Sequence, residues 1–83
     1  MQKQINAVKE FHVAFNIDYN ENPTANIGKN KHELRYNLMK EENEEYLEAV
    51  QNNNLTEIAD ALGDMMYILC GTIIEHGDRK SVV

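Results

Sequence analysis

The sequence predicts an all-α fold in which a three-helix chain forms a helical bundle that is completed by dimerisation. Apolar residues recur at helical spacing in three segments, and the one Pro lies between the first two of them. The chain has only 83 residues, and a chain of that length buries only about 60% of the surface that its unfolded form exposes. We therefore expect a single domain, residues 1–83, with a core shared between subunits.

The first helix is predicted over residues 2–15, where Ile5 and Val8 belong to one apolar face. A polar, Asn-rich stretch, residues 16–28, follows it and contains Pro23, so it is predicted to be a loop. Connections in helical proteins are usually about 2–8 residues long, and a longer ordered one often has a binding role.

The second and third helices are separated by a short polar connection. The second is predicted over residues 31–50, and Asn54 with Glu57 three residues later forms a capping-box pattern that begins the third. The third continues to residue 75 or 76, with Gly77 as its C′ residue. Because its non-acidic positions are almost all apolar, we expect this helix to be buried on most sides, at a dimer interface.

Composition excludes several kinds of protein. A net charge of −6 argues against a protein that grips the nucleic acid backbone, which requires a basic surface. No apolar run approaches the roughly 18 residues of a membrane span. The lone Cys70, expected to be buried, and the polar N-terminus indicate a reducing, cytoplasmic compartment.

The acidic residues are concentrated in one half of the chain. Residues 41–78 contain ten Asp or Glu and no Lys or Arg, whereas the remainder contains four acids and eight bases. Local pairs between residues four apart on a helix therefore cannot neutralise the acidic half. The pattern predicts a cation, or cationic groups from elsewhere, among these acids.

Two acids of the second helix point where its core face should be. At about 100° per residue, Glu42 and Glu45 fall in the middle of the apolar arc, whereas Glu44 and Glu48 fall outside it and are interpreted as a solvated face. An unpaired buried carboxylate is unfavourable. Either a cation binds these two, or the helix frays and they avoid burial.

The third helix carries a matching acidic stripe, formed by Glu57, Asp60 and Asp64. The short connection predicts antiparallel packing of the two helices, which brings both sets of acids to one pocket. A cluster of carboxylate oxygens without a basic neighbour suits a hard cation, Mg²⁺ or Mn²⁺.

Basic residues precede the acids on the second helix. Lys31 and Arg35 lie on the same face as Glu42, two to three turns upstream. Positive charge beside a metal is the arrangement that a phosphate-bearing ligand requires. The alternative is that Arg35 only extends its charged end to solvent, or pairs with an acid elsewhere in the chain.

The two acidic stretches resemble a known signature. The runs EENEEYLEA at residues 41–49 and EIADALGD at residues 57–64 are similar to the pattern of the MazG-like, all-α nucleoside triphosphate pyrophosphohydrolases. This superfamily includes phosphoribosyl-ATP pyrophosphohydrolase. The resemblance implies that Glu42 and Glu45 are the metal ligands of the first acidic helix and that Asp64 is the last ligand of the next.

Two features depart from the pattern. Many members have Glu three residues before the final aspartate, where this chain has Ala61. Either Asp60 alone or the pair Glu57 and Asp60 supplies the missing ligand. Relatives generally continue with another helix and a phosphate-binding segment, and this chain ends at Val83, so we expect the family's last segment to be absent.

The resemblance implies a Mg²⁺-dependent hydrolase, with Mn²⁺ as the alternative ion, that converts a nucleoside triphosphate to the monophosphate and pyrophosphate. Its partners are a nucleotide substrate and further copies of the chain, in a homodimer or homotetramer. The alternatives are a non-catalytic dimerisation or nucleotide-binding module with the same fold, and an acidic bundle without a ligand. The implied site contains the metal ligands Glu42, Glu45, Asp60 and Asp64, the catalytic residues Glu41 and Glu57, and the phosphate-binding residues Lys31 and Arg35.

Overall fold

The computed structural model describes residues 1–15, 20 and 22–77, and within these ranges it contains three α-helices and no strand. The helices are α1 (Gln2–Ala14), α2 (Lys29–Gln51) and α3 (Leu55–Glu75). The all-α prediction is confirmed, and each helix begins and ends within two residues of the predicted position. Residues 20 and 22–28 of the predicted loop contain no helix; its other residues, and the end of the chain from residue 78, lie outside the described ranges.

Both predicted signals at the ends of α3 are present. The Asn54 side chain accepts a hydrogen bond of 3.1 Å from the backbone N–H of Glu57 and so caps the first turn. Gly77 follows the helix with a φ of 88°, a conformation that favours glycine. A Cβ atom at this position would overlap the carbonyl group of Asn22, so the backbone approach also requires glycine.

The central element is α3, which packs against both other helices, whereas no packing between α1 and α2 occurs in the described part of the chain. The core between α1 and α3 is built from Ile5, Cys70 and Ile74. Cys70 is fully buried, as predicted, and its burial raises the pKa of its thiol.

Part of the apolar surface of α3 is left uncovered by the described residues of the chain. Leu55, Leu62, Met66 and Leu69 are all exposed, Leu55 at 78%. The described residues therefore bury only part of this helix, and its burial at a dimer interface stays a prediction. These side chains fall on the side of the helix opposite the acidic stripe, so α3 has an open apolar strip besides the surfaces that pack against α1 and α2.

The described part of the loop crosses the C-terminal end of α3. The backbone N–H of Thr24 donates to the carbonyl oxygen of His76 at 2.7 Å, and Nδ1 of His76 lies 2.9 Å from the carbonyl oxygen of Thr24. The backbone N–H of Asn20 donates to the carbonyl oxygen of Ile74 at 3.2 Å. The rings of His32 and His76 stack with centroids 5.8 Å apart. The loop is thereby tied to the last turn of α3, which in turn contacts the first turn of α2.

Candidate metal centre

Three carboxylates meet where α2 and α3 face each other. Glu42 and Glu45 come from α2, Asp64 comes from α3, and one ligand oxygen from each lies within 4.8 Å of the others. Glu42 is half-buried and the other two are exposed. The helical periodicity places the two glutamates on one side of α2, and the short turn after α2 reverses the chain so that Asp64 returns beside them.

The electrostatic environment of Glu42 is unfavourable for a bare carboxylate. Its Oε2 atom is buried and has no hydrogen-bond partner among the described residues. Burial is the main reason that the pKa of Glu42 is raised, and the negative charge of Glu45 and a hydrogen bond with that residue raise it further. The charges of Asp64 and Glu41 act in the same direction. A cation bound here would favour the charged form of Glu42 and offset the repulsion between the carboxylates.

The donor set fits a hard divalent cation. All three side chains offer carboxylate oxygens, which Mg²⁺ and Mn²⁺ prefer. Oxygens that bind one Mg²⁺ at about 2.1 Å are at most about 4.2 Å apart, so the observed spacing needs only a small side-chain movement to close. The buried, unpartnered oxygen of Glu42 is the atom that such an ion would satisfy.

An acidic pocket of about 320 Å³ adjoins this cluster. It contains the remaining acids of the α3 stripe, Glu57 and Asp60, which are not among the three clustered carboxylates. Ala61, the position at which the family pattern often has Glu, is buried and also lines the pocket. The complete lining is Glu45, Glu48, Glu57, Asp60, Ala61 and Asp64.

Glu48 is exposed, as its predicted place on a solvated face implies, and it also lines the acidic pocket. It follows Glu45 by three residues and therefore lies one turn further along α2, and this spacing is the sequence signal for its place in the pocket. Glu41 and Glu44 are also exposed but do not line this pocket.

Arg35 pairs with Glu75, an acid that the sequence analysis does not single out. The Nε and Nη2 atoms of Arg35 both donate to Oε1 of Glu75, the first at 2.9 Å. The two side chains are only 14% and 8% exposed. A Cβ atom on Gly71 would lie 2.9 Å from Nη1 of Arg35, so the missing side chain makes room for the guanidinium. Lys31, one turn earlier on α2, is half-buried.

The fold and the site define an all-α protein with a carboxylate cluster suited to a divalent cation. The sequence matches the phosphoribosyl-ATP pyrophosphohydrolase family over residues 8–78. The chain therefore belongs to this family, and the resemblance described from residues 41–49 and 57–64 is confirmed.

A viral protein shares part of the sequence. It is an uncharacterized protein, L479, of Acanthamoeba polyphaga mimivirus, which is 53% identical over 38 residues. The matched segment covers 46% of this chain and 15% of the viral protein. No solved structure matches the chain. None of the helices in the described ranges is long and apolar enough to cross a membrane.

Proposed function

We propose that the protein is a Mg²⁺-dependent nucleotide pyrophosphohydrolase, which hydrolyses a nucleoside triphosphate to the monophosphate and pyrophosphate. Membership of the phosphoribosyl-ATP pyrophosphohydrolase family supports a reaction of this type. The observation that carries the proposal is the three-carboxylate cluster with the buried, unpartnered oxygen of Glu42. A surface acidic patch without a ligand has no reason to hold a carboxylate in that position.

The ligand set proposed for the metal is Glu42, Glu45 and Asp64, with Asp60 from the adjoining pocket. Mn²⁺ is expected to substitute for Mg²⁺ because both prefer carboxylate oxygens. A bound ion of this kind offsets charge on phosphate oxygens and lowers the pKa of a coordinated water. The four side chains fix where that chemistry takes place, since two come from each of two packed helices.

The carboxylates that remain are the candidates for the water. Glu57 lines the acidic pocket, and Glu41 is close enough to Glu42 for its charge to raise the pKa of that residue. We propose that one of them accepts a hydrogen bond, and then the proton, from the attacking water. Glu57 also remains a candidate metal ligand together with Asp60, in place of the glutamate that is absent at Ala61.

Positive charge for the phosphates is proposed to come from Lys31 and Arg35. Both precede Glu42 on the same face of α2, and Arg35 uses only Nε and Nη2 to bind Glu75. A guanidinium has five N–H donors, so Arg35 has donors besides the two that bind Glu75 to offer to a phosphate oxygen.

We propose that a second copy of the chain covers the open face of α3, giving a homodimer or a homotetramer. Exposed Leu62, Met66 and Leu69 form an apolar strip there, and a chain this short gains most from sharing its core. The variant Met66→Glu should dissociate the assembly in sedimentation equilibrium. Tyr36→Glu, at an exposed aromatic residue of α2, is the matched control. A wild-type monomer at all concentrations would contradict this assignment.

A second candidate function is a non-catalytic module that binds a nucleotide and a metal without turnover. Ala61 favours it, because this residue lines the acidic pocket where the family pattern often supplies a carboxylate. The two candidates predict the same metal binding and differ only in pyrophosphate release.

The test is release of pyrophosphate from a mixture of nucleoside triphosphates, with Mg²⁺ or with EDTA. We expect release that requires the metal, and Glu45→Gln should abolish it because it removes a charged ligand. The matched control is Glu44→Gln, the same change at an exposed neighbour outside the cluster. Full activity in Glu45→Gln would refute the assigned site. Metal-dependent nucleotide binding without release would support the non-catalytic module.

A further inference from the structure

The Arg35–Glu75 pair lies on the same side of the α2–α3 pair as the carboxylate cluster. Glu75 follows Asp64 by eleven residues, which is close to three turns, so both side chains leave α3 on one face about 16 Å apart. Arg35 precedes Glu42 by seven residues, or about 10 Å along α2. A nucleotide that extends from the cluster past Arg35 spans a comparable distance, so its phosphates would reach Arg35 and its nucleoside would lie near Glu75.

The hydrogen bonding of the pair is incomplete. Arginine and a carboxylate often form two parallel hydrogen bonds, one to each carboxylate oxygen. Here both donors of Arg35 bind Oε1 of Glu75, and Oε2 is buried with no hydrogen-bond partner among the described residues. Glu75 as a whole is only 6% exposed. A buried charged acceptor without a donor is unfavourable, and a ligand that brings a donor would relieve it.

The surrounding structure explains why Oε2 of Glu75, rather than Oε1, lacks a hydrogen-bond donor. The guanidinium of Arg35 lies against α3 at Gly71, which has no side chain to displace it. Breaking the pair would leave Glu75 as an uncompensated buried charge, which is strongly unfavourable. Arg35 and Glu75 therefore stay together when a ligand binds, and Oε2 is the atom that the pair offers. Asn20 and Thr24 bind backbone carbonyl groups at the C-terminal end of α3, next to this pair.

We propose that Glu75 determines nucleotide specificity by accepting, through Oε2, a hydrogen bond from an N–H or O–H donor of the nucleoside. This inference rests on the proposed function, because it assigns the nucleoside end of the same ligand. The donor is either a base amino or ring N–H group or a sugar hydroxyl, and both present the same chemistry to a carboxylate.

The test uses α,β-methylene nucleoside triphosphates, which resist cleavage at that anhydride, so that binding is measured without turnover. Thermal stabilisation in Mg²⁺ first identifies the base that binds best. The hydrogen-bond donors of that nucleoside are then removed one at a time: the exocyclic amino group and the ring N–H of the base, and the 2′-hydroxyl and 3′-hydroxyl of the sugar. We expect one of these deletions to raise Kd about tenfold or more, as the loss of a hydrogen bond to a charged acceptor does. Which deletion it is distinguishes a base donor from a sugar donor.

The variant Glu75→Gln separates recognition from a structural role. The amide oxygen of Gln would accept the two bonds from Arg35, which leaves the NH₂ group, a donor, in the place of Oε2. The variant should therefore bind the parent nucleotide and the sensitive analogue equally. A purely structural residue would instead weaken both by the same factor. Glu33→Gln, at an exposed acid of α2 whose ion pair with Lys29 is 3.9 Å long, is the matched control and should keep wild-type discrimination.

The wild-type series tests the inference even if Glu75→Gln does not fold. If no single deletion changes Kd by more than about twofold, Oε2 holds a buried water only and the inference is overturned. Nucleotide binding without pyrophosphate release would refute the proposed hydrolase activity. The Kd values of the donor-deleted analogues would still decide whether Glu75 recognises the nucleoside. Absence of stabilisation by any nucleotide would overturn both the proposed function and this inference.

Discussion

The substitution Glu42→Gln should stabilise the metal-free protein. Ligand oxygens of Glu42, Glu45 and Asp64 lie within 4.8 Å of one another, and two unit charges at that distance repel by about 1 kcal/mol even at the permittivity of water. The substitution removes two such repulsions, so the free energy of unfolding in EDTA should rise by about 1–2 kcal/mol. For a domain of this size, the expected increase in Tm is at least about 4 °C.

Divalent cations should reverse the order of stability. The wild type gains about 2.7 kcal/mol when Mg²⁺ is present at about 100 times its Kd, whereas the variant has lost a charged ligand and gains much less. Glu42→Gln should therefore melt above the wild type in EDTA and below it in Mg²⁺. Thermal and urea unfolding of both proteins, with EDTA and over a Mg²⁺ titration, measure the crossing.

The control for this prediction is Glu44→Gln, which changes the net charge by the same amount on the same helix but at an exposed position outside the cluster. Its stability should stay within about 0.5 kcal/mol of the wild type in both buffers. Charge repulsion within the cluster is not the cause if Glu42→Gln destabilises the protein in EDTA, and Glu42 is not a metal ligand if Mg²⁺ stabilises the variant as much as the wild type.

Three further predictions concern pH and the helices. The pKa of Glu42 is raised in the folded state, so its stabilising contribution in EDTA is fully present below the ordinary carboxyl pKa and is lost as pH rises through the raised value. Urea unfolding between about pH 4 and pH 8 should therefore show the free energy of unfolding of the wild type falling relative to that of Glu42→Gln. Parallel curves for the two proteins would contradict this expectation. Gly63→Ala, with open space around the new Cβ, should stabilise α3 by about 0.5–1 kcal/mol. Gly71→Ala should lose that gain because its Cβ would lie 2.9 Å from Nη1 of Arg35. Equal melting temperatures of the two variants would argue against the close approach of Arg35 to Gly71. Asn54→Ala should lower the free energy of unfolding by about 1 kcal/mol through loss of the N-cap, and Asn54→Asp, which retains a side-chain acceptor, should not; urea unfolding of the two variants measures the difference.

The helices and the carboxylate cluster are predictable because local rules determine them. Asn54 begins α3 because its side chain caps the first turn, and Gly77 ends it because glycine adopts a positive φ; both features are present in the structure. The approach of Glu42 and Asp64 follows from helical periodicity and from a turn too short to permit any arrangement other than a reversal. Both inferences depend only on neighbours in the sequence.

The remaining contacts depend on how far side chains reach across the helix pair. The sequence allows Arg35 an acidic partner elsewhere in the chain, but forty residues separate it from Glu75 and no periodicity joins the two helices. Glu48 lines the acidic pocket although its helical angle points away from the centre of the apolar arc. A flexible glutamate covers a wide sector, and the relative rotation of α2 and α3 decides whether it reaches the pocket. The angular positions of residues within one helix give no information about how α2 and α3 are rotated relative to each other.

The position of α3 at the end of the described chain has a consequence for folding during synthesis. Ile5 of α1 packs on Cys70 and Ile74, and Asn20 and Thr24 bind Ile74 and His76, so several partners of the N-terminal third of the protein lie in the C-terminal half of α3. The α2–α3 hairpin has the most local contacts and should form first. We expect α1 to lack these α3 partners until that half of the helix leaves the ribosome, so that the α1–α3 core forms after, rather than during, translation of α3.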